Sequence, residues 1–262
     1  MTREILRLEN VFKRFGGIVV AEDISLSIAA GEILGLIGPN GAGKTSLFNL
    51  ISGVVQPDAG RIFLNGTRID TIPVHRRARA GIARTWQHMR LFHSMTVLEN
   101  LLIAPRSYPG ESLVKALFGT AAVHHAESEN RQRAMAILER MGLVDSAETT
   151  VTDLPFGQQK LIGLARALMN DGSCLLLDEP MAGVEGANYL TMQRVVRDEA
   201  ASGRAVCVVE HNVSFIKDLC NTAVFMSQGR ILQRGSVDEL TRSRELTELY
   251  FGVTEEAVDA DI

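Results

Sequence analysis

The chain has 262 residues, enough to bury a sizeable core, with 27 basic against 31 acidic residues and a net charge of −4. That balance lacks the basic excess of a dedicated nucleic-acid binder, so no nucleic-acid partner is expected. No apolar run approaches the ~18 residues a membrane span needs, and the N-terminus lacks a signal peptide's apolar segment; the expectation is a cytoplasmic protein that serves a membrane only through a partner.

Residues 5 to 28 alternate apolar and polar (Ile5, Leu6, Leu8, Val11; then Ile24, Leu26, Ile28), which predicts antiparallel strands. Between them Phe15 precedes the pair Gly16-Gly17, where an aromatic is poorly placed to enter a core. Two readings stand for it, local packing and stacking on a nucleobase.

Ile33 to Ile37 reads as a buried parallel strand and Leu47-Phe48-Asn49-Leu50-Ile51 as the start of a helix. Between them stands Gly38-Pro39-Asn40-Gly41-Ala42-Gly43-Lys44-Thr45-Ser46, the phosphate-binding loop in its strand–loop–helix context. Glycines let backbone N–H groups turn inward around an anion, and the helix N-terminus adds partial positive charge. Lys44 would reach the β- and γ-phosphates and Thr45 would offer its hydroxyl to Mg²⁺. The chain is expected to bind a nucleoside triphosphate.

Farther on, Asn65-Gly66 is a strong hairpin signal. Val74 to Arg79 reads as a basic helical segment whose arginines form a solvated face, with binding of phosphate or anionic lipid as the alternative, and Gly81 to Trp86 as a strand ending at Gln87. Thr96-Val97-Leu98-Glu99 has capping-box spacing. Residues 105 to 125 read as an irregular connection, and Glu127 to Met141 as a helix with Ala134, Ile137, Leu138 and Met141 on one stripe and Gly142 as its stop. Leu154 to Lys160 opens a helix with Leu161, Leu164, Ala165 and Leu168 on one face. Residues 188 to 201 read as helix. Two buried strands, Ser173 to Leu177 and Ala205 to Val209, end at Asp178-Glu179 and Glu210-His211. A short helix and two strands (Ala223 to Met226, Ile231 to Gln233) follow, then ragged helical residues and a frayed tail from Thr254. Cys174, Cys207 and Cys220 are widely spaced without a Cys-x-x-Cys and read as buried free thiols in a reducing compartment.

The carboxylates complete a triphosphate site: Asp178 can hold Mg²⁺ directly or through water, and Glu179 is placed to polarise an attacking water. His211 ends the neighbouring strand, at the edge where parallel α/β sheets bind ligands. Gln87 offers an amide able to meet both metal and water, with a plain surface glutamine as the alternative.

In this order the motifs resemble the nucleotide-binding subunit of an ATP-binding-cassette transporter, over about residues 4 to 240. More narrowly, Ala83 to Phe92, Met95 to Leu102, Leu154 to Gln159, Ala182-Gly183-Val184 and Leu249-Tyr250-Phe251-Gly252 resemble the branched-chain amino-acid importers. The resemblance implies an α/β phosphate-loop (RecA-like) cassette. An antiparallel β subdomain and core would span 1–90 and 160–240, a helical subdomain 91–159, and a C-terminal extension 241–262. It implies ATP and Mg²⁺ as cofactors, with Thr45, Gln87 and Asp178 toward the metal and Gly38, Asn40, Gly41, Ala42, Gly43, Lys44, Thr45 and Ser46 on the phosphates. Phe15 would stack on adenine, Glu179 act as general base, His211 as switch residue and Gln87 as γ-phosphate sensor. Glu185 stands where the family often has Asp in a dimer-contacting loop. Leu154, Phe156, Gly157 and Gln158 would cap a partner's ATP across a head-to-tail dimer. The implied partners are a second cassette, transmembrane permease subunits and, indirectly, an extracytoplasmic binding protein, which places the chain on the inner face of the membrane.

The signature departs from the usual Leu-Ser-Gly-Gly-Gln: Pro155 brings neither N–H nor hydroxyl, and Phe156 stands where the first glycine would be. The expectation is therefore pairing with a different cassette subunit, a heterodimer with two unequal sites, with a homodimer as the alternative. The apolar stretch Met89, Leu91, Phe92 and Met95 is expected either to line the groove for a permease helix or to be buried in its own subdomain. Export or another transport system is the alternative function. A chromosome- or ribosome-acting cassette is disfavoured by the single cassette and missing heptads, and a non-hydrolysing switch by Glu179.

Overall fold

The computed structural model describes residues 3–106, 121–220, 222–243 and 246. Two sheets organise it. The first is four-stranded and antiparallel in the order β2-β1-β4-β5, built from β1 (Glu4–Phe15), β2 (Ile18–Ala29), β4 (Ala59–Leu64) and β5 (Thr67–Arg68). The β4–β5 turn is the expected Asn65-Gly66, at φ 50° and 77°. The second sheet runs β10-β9-β3-β8-β7-β6. Its members are β3 (Ile33–Ile37), β6 (Ile82–Arg84), β7 (Cys174–Asp178), β8 (Ala205–Val209), β9 (Thr222–Ser227) and β10 (Arg230–Ser236). All its pairings are parallel except the β9–β10 edge.

The central strands are apolar on both faces, and their period-2 alternation sorts side chains into two cores. Leu34, Leu36, Cys174, Leu176, Cys207 and Val209 pack with the antiparallel sheet and helix α1 (Lys44–Ser52). Leu175, Leu177, Val206, Val208 and Phe225 face the other way, onto the helical layer. That layer comprises α3 (Val97–Leu102), α4 (Ala121–Met141), α5 (Phe156–Leu168), α6 (Gly186–Ala201) and α7 (Val213–Leu219). Helices α2 (Val74–Ala80) and α8 (Val237–Arg242) and two short 3₁₀ helices, Val144–Ser146 and Val151–Asp153, complete the elements described. The capping box opens α3: the Thr96 hydroxyl accepts from the Glu99 N–H, and the Thr96 N–H donates to the Glu99 carboxylate. Among the described residues, no helix is long and apolar enough to cross a membrane. All three cysteines are buried and free.

Three expectations are corrected. Helix α4 covers Ala121–Met141, so residues 121–125 are helical rather than irregular chain; 107–120 lie outside the described residues, as does the tail from Thr254. Strand β6 stops at Arg84: the Thr85 N–H still donates to Leu176 (2.9 Å), but Gln87 sits beyond the strand in a loop. The arginines of α2 do not all face solvent, because Arg77 is fully buried. Its guanidinium donates to the carbonyls of Leu50 (2.6 Å) and Ile51 (3.1 Å) at the end of α1, and to those of Asp70 (2.7 Å) and Ile72 (3.0 Å). The carbonyls of Leu50 and Ile51 lie in the last turn of α1, where that of Leu50 also accepts from the Gly53 N–H (3.3 Å), and a cation there complements the helix dipole.

Candidate functional site at the carboxyl edge of the parallel sheet

Strands β3, β8, β7 and β6 lie side by side and parallel, so their carboxyl ends deliver the phosphate loop, Glu210-His211, Asp178-Glu179 and the Thr85–Gln87 segment to one edge. The loop between β3 and α1 is fixed by close backbone approaches. A Cβ on Gly38 (φ +150°) would lie 2.0 Å from the Met226 carbonyl oxygen, and one on Gly43 (φ +100°) 2.4 Å from that of Val20. Gly41 (φ +79°) faces open space, with Asn40 beside it exposed and Ala42 buried. The loop is thus clamped at its two ends by strands β9 and β2, while its middle stays open; the Gly229 N–H donates to Ala42 (2.9 Å).

Lys44 is buried, and its ammonium donates to the carbonyls of Gly38 (2.6 Å) and Pro39 (2.9 Å). Burial lowers its pKa, opposed by the charges of Glu179 and Asp178. Thr45 is exposed and Ser46 half-buried in the first turn of α1.

Asp178 ends β7 almost wholly buried, with its N–H donating to the Thr85 hydroxyl (3.0 Å). Burial pushes its carboxyl up, opposed by the hydrogen bond and charge of Arg84. Arg84 Nη2 donates to Asp178 Oδ2 at 3.0 Å, whereas Asp178 Oδ1 is buried without a hydrogen-bond partner. Glu179 adopts a left-handed backbone (φ 46°) that turns it away from the strand. Its Oε2 accepts from Gln87 Nε2 (3.0 Å), its Oε1 lies 3.0 Å from His211 Nε2, and its carbonyl accepts from Lys160 Nζ (3.2 Å). Glu210 points inward and accepts from the N–H groups of Met181 (2.6 Å) and His211 (3.3 Å). Burial raises its pKa, opposed by those two hydrogen bonds.

Lys44, Gln87, Asp178, Glu179 and His211, separated widely in sequence, therefore share one edge. Phe15 lies apart from them at the β1 end of the first hairpin, 50% exposed, with Lys13 Nζ 5.3 Å from its ring centre. The Leu154–Gln158 stretch opens α5, with Leu154, Gly157 and Gln158 half-buried and Pro155 at the N-cap. Phe156 is 51% exposed and packs on Gly183, where a Cβ would come within 2.8 Å of its ring. Glu185 is the N-cap of α6. Of the apolar stretch, Leu91 is buried, Met89 and Met95 are half-buried, and Phe92 is exposed. Burial in its own subdomain holds for Leu91 and in part for Met89 and Met95.

The residues present fit a divalent cation. Asp178 Oδ1 is an orphaned buried acceptor, and Thr45 supplies a hydroxyl at the head of α1. Among the described residues no group of three or more His, Cys, Asp or Glu could cage a metal.

Sequence reasoning missed Arg84, Lys160 and Glu210. Each carried a signal: a cation inside an otherwise apolar strand run, a lysine one turn before Leu164 on the apolar stripe of α5, and a carboxylate flush with the end of a fully buried strand.

A family model described as "ABC transporter" matches residues 21–182. The high-affinity branched-chain amino acid transport ATP-binding protein LivG of Salmonella typhimurium (strain LT2) is 32% identical over 253 residues, covering 96% of this chain and 99% of that protein. The lipopolysaccharide export system ATP-binding protein LptB of Acidithiobacillus ferridurans is 33% identical, covering 95% and 97%. Among solved structures, the ADP conformation of an ATP-binding cassette of an ABC transporter superposes with a TM-score of 0.82 at 31% identity, covering 96% of this chain and 100% of that one.

Proposed function

Because the chain belongs to the ABC transporter family, as the cassette that hydrolyses ATP to drive transport, we propose that it energises an importer of branched-chain amino acids or a related small polar solute. The observation that carries the solute class is the end-to-end match to a relative named for that transport. The stretches Ala83 to Phe92 and Leu154 to Gln159 support it. A match of similar identity to an export cassette favours a second reading, in which the cargo is a lipid or polysaccharide.

In this reading the open middle of the phosphate loop receives the phosphates, and Lys44 exchanges its two carbonyl partners for phosphate oxygens. Thr45, Asp178 and Gln87 hold Mg²⁺, which when bound neutralises charge on the phosphates. Glu179 is the general base. Both of its oxygens already have partners, so Gln87 and His211 orient the carboxylate toward a water and report on the γ-phosphate. Phe15 stacks on adenine. Leu154, Phe156, Gly157 and Gln158 face the ATP of a second cassette, and their departure from a glycine-rich signature supports a heterodimer. Residues 1–90 and 160–240 form the β subdomain and core, 91–159 the helical subdomain and 241–262 an extension. The chain sits on the inner face of the membrane against permease subunits, with the exposed Phe92 at that contact.

Uptake of labelled leucine by cells lacking the gene tests the solute. Loss of uptake, restored by the wild-type gene and not by Lys44→Ala, is expected. Unchanged uptake with depleted surface lipopolysaccharide would transfer the reading to export.

A further inference from the structure

Arg84 has no part in the roles above, yet both of its terminal nitrogens are engaged at this edge while its Nε is buried without a hydrogen-bond partner. Its side chain is 5% exposed and that of Asp178 2%. Burying such a pair is a poor way to gain stability, since desolvation offsets most of the attraction. What the pair gains is geometry. Nη1 spans Asn49 Oδ1 (2.8 Å) and Ser52 Oγ (2.9 Å) on α1, the helix that starts with Lys44 and Thr45. Nη2 reaches Asp178 Oδ2, and the guanidinium lies 5.6 Å from the Phe48 ring centre and 4.3 Å from that of Trp86. Arg90 also packs on Trp86, 4.0 Å from its ring centre, so two guanidinium groups contact the indole one residue before Gln87.

We propose that Arg84 is a positioning residue: it occupies one oxygen of Asp178 and fixes the carboxylate so that the other, Oδ1, alone faces the nucleotide's divalent cation. Through Trp86 it ties the segment bearing Gln87 to the same carboxylate. A planar fork serves here and a point charge does not, because three acceptors on two elements must be met while the flat faces pack on aromatic rings. The proposal rests on the ATPase reading of the site.

The test uses the full chain, ADP and Mn²⁺. Bound Mn²⁺ is counted from the electron paramagnetic resonance of the free ion at saturating ADP, and ADP affinity in EDTA is measured by calorimetry. Arg84→Met is expected to raise the Mn²⁺ half-saturation concentration by about 10- to 100-fold while metal-free ADP affinity moves less than ~2-fold, the signature of a lost outer-shell partner. Arg84→Lys should recover part of that loss. Trp86, the single tryptophan of the chain, gives a second readout: its fluorescence should respond to Mn²⁺ in the wild type and lose that response in Arg84→Met. Should Arg84→Met not fold, the pair Asn49→Ala/Ser52→Ala releases the guanidinium from α1 while leaving the ion pair, and should raise the half-saturation several-fold.

An unchanged Mn²⁺ half-saturation in the folded variant, or an equal loss of metal-free ADP binding, overturns the proposal. Failure of the ATPase reading looks different: the wild type itself would then bind no ADP, or bind it with no tightening by metal.

Discussion

The phosphate loop and the Leu154–Gln158 stretch are the same device in outline, a short loop running into a helix N-terminus, and they are held in opposite ways. In the first, backbone is pressed against backbone: Gly38 and Gly43 stand where a Cβ would strike the carbonyls of Met226 and Val20. In the second, side chain meets side chain or a bare glycine: a Cβ on Gly157 would meet the amide of Asn188 at 2.9 Å, and Phe156 lies over Gly183. Where backbone clamps the loop, at Gly38 and Gly43, only glycine fits. A loop closed by movable side chains tolerates Pro155 and Phe156. The difference separates a loop whose residues are dictated by its own backbone packing from one whose residues are not.

Gly38→Ala should give the largest effect. Its backbone conformation is one that essentially only glycine adopts, and the clash is with a carbonyl that cannot rotate away, so more than ~3 kcal/mol is expected. Calorimetry should find no nucleotide binding and scanning calorimetry a strongly lowered Tm. Gly157→Ala, inside α5 with helical backbone, should shift stability by no more than about 1 kcal/mol, since helix propensity gained offsets a displaced Asn188. Equal effects at the two glycines would break the contrast.

The far ends of the two helices repeat it. The last carbonyls of α1 accept from Arg77, fully buried, whereas the Leu168 carbonyl at the end of α5 accepts from Arg133 (3.1 Å), whose side chain is 35% exposed. Arg77→Ala removes the guanidinium donor from four carbonyls, those of Leu50, Ile51, Asp70 and Ile72, and should cost about 3 kcal/mol by urea unfolding. Arg133→Ala should cost less than ~1 kcal/mol. Next in size comes Glu179→Gln, which keeps the backbone turn and an acceptor oxygen but removes the base. Turnover should fall by at least about 100-fold with ATP affinity retained. Undiminished turnover would exclude Glu179 as the base.

What could be read from sequence is instructive in the same terms. The phosphate loop, Asp178-Glu179 and His211 were legible because each follows a buried apolar strand, and a parallel sheet brings strand ends together by construction. The sheets followed from alternation in β1 and β2 and from apolar runs in β3, β7 and β8. Arg77, Arg84 and Lys160 were not legible as buried or functional. Their partners lie 27 residues away at Leu50, 94 at Asp178 and 19 at Glu179, and nothing local distinguishes such a cation from one in solvent. A buried charge is defined by tertiary partners, so its sequence trace is only a misfit in an apolar pattern. Residues 121–125 of α4 were missed for a different reason: Ala121 to His125 carry a single buried side chain, Val123, too little apolar periodicity to announce a helix.

The smallest effect expected in the isolated chain is at Phe156, and it sharpens the comparison most. The ring is half-exposed, covers Gly183 and lies 5.7 Å from Lys160 Nζ, whose other contact is the Glu179 carbonyl. Phe156→Ala should therefore cost no more than ~1 kcal/mol, a Tm change of a few degrees, and leave ATP affinity at the chain's own loop unaltered. If the stretch faces a partner's nucleotide, the change must appear only when a second cassette is present. ATP-driven association of the Glu179→Gln chain with its co-expressed partner, followed by sedimentation, should weaken on adding Phe156→Ala. Association that is indifferent to Phe156, together with full turnover by the chain alone, would place both competent sites in a homodimer and end the case for unequal ones.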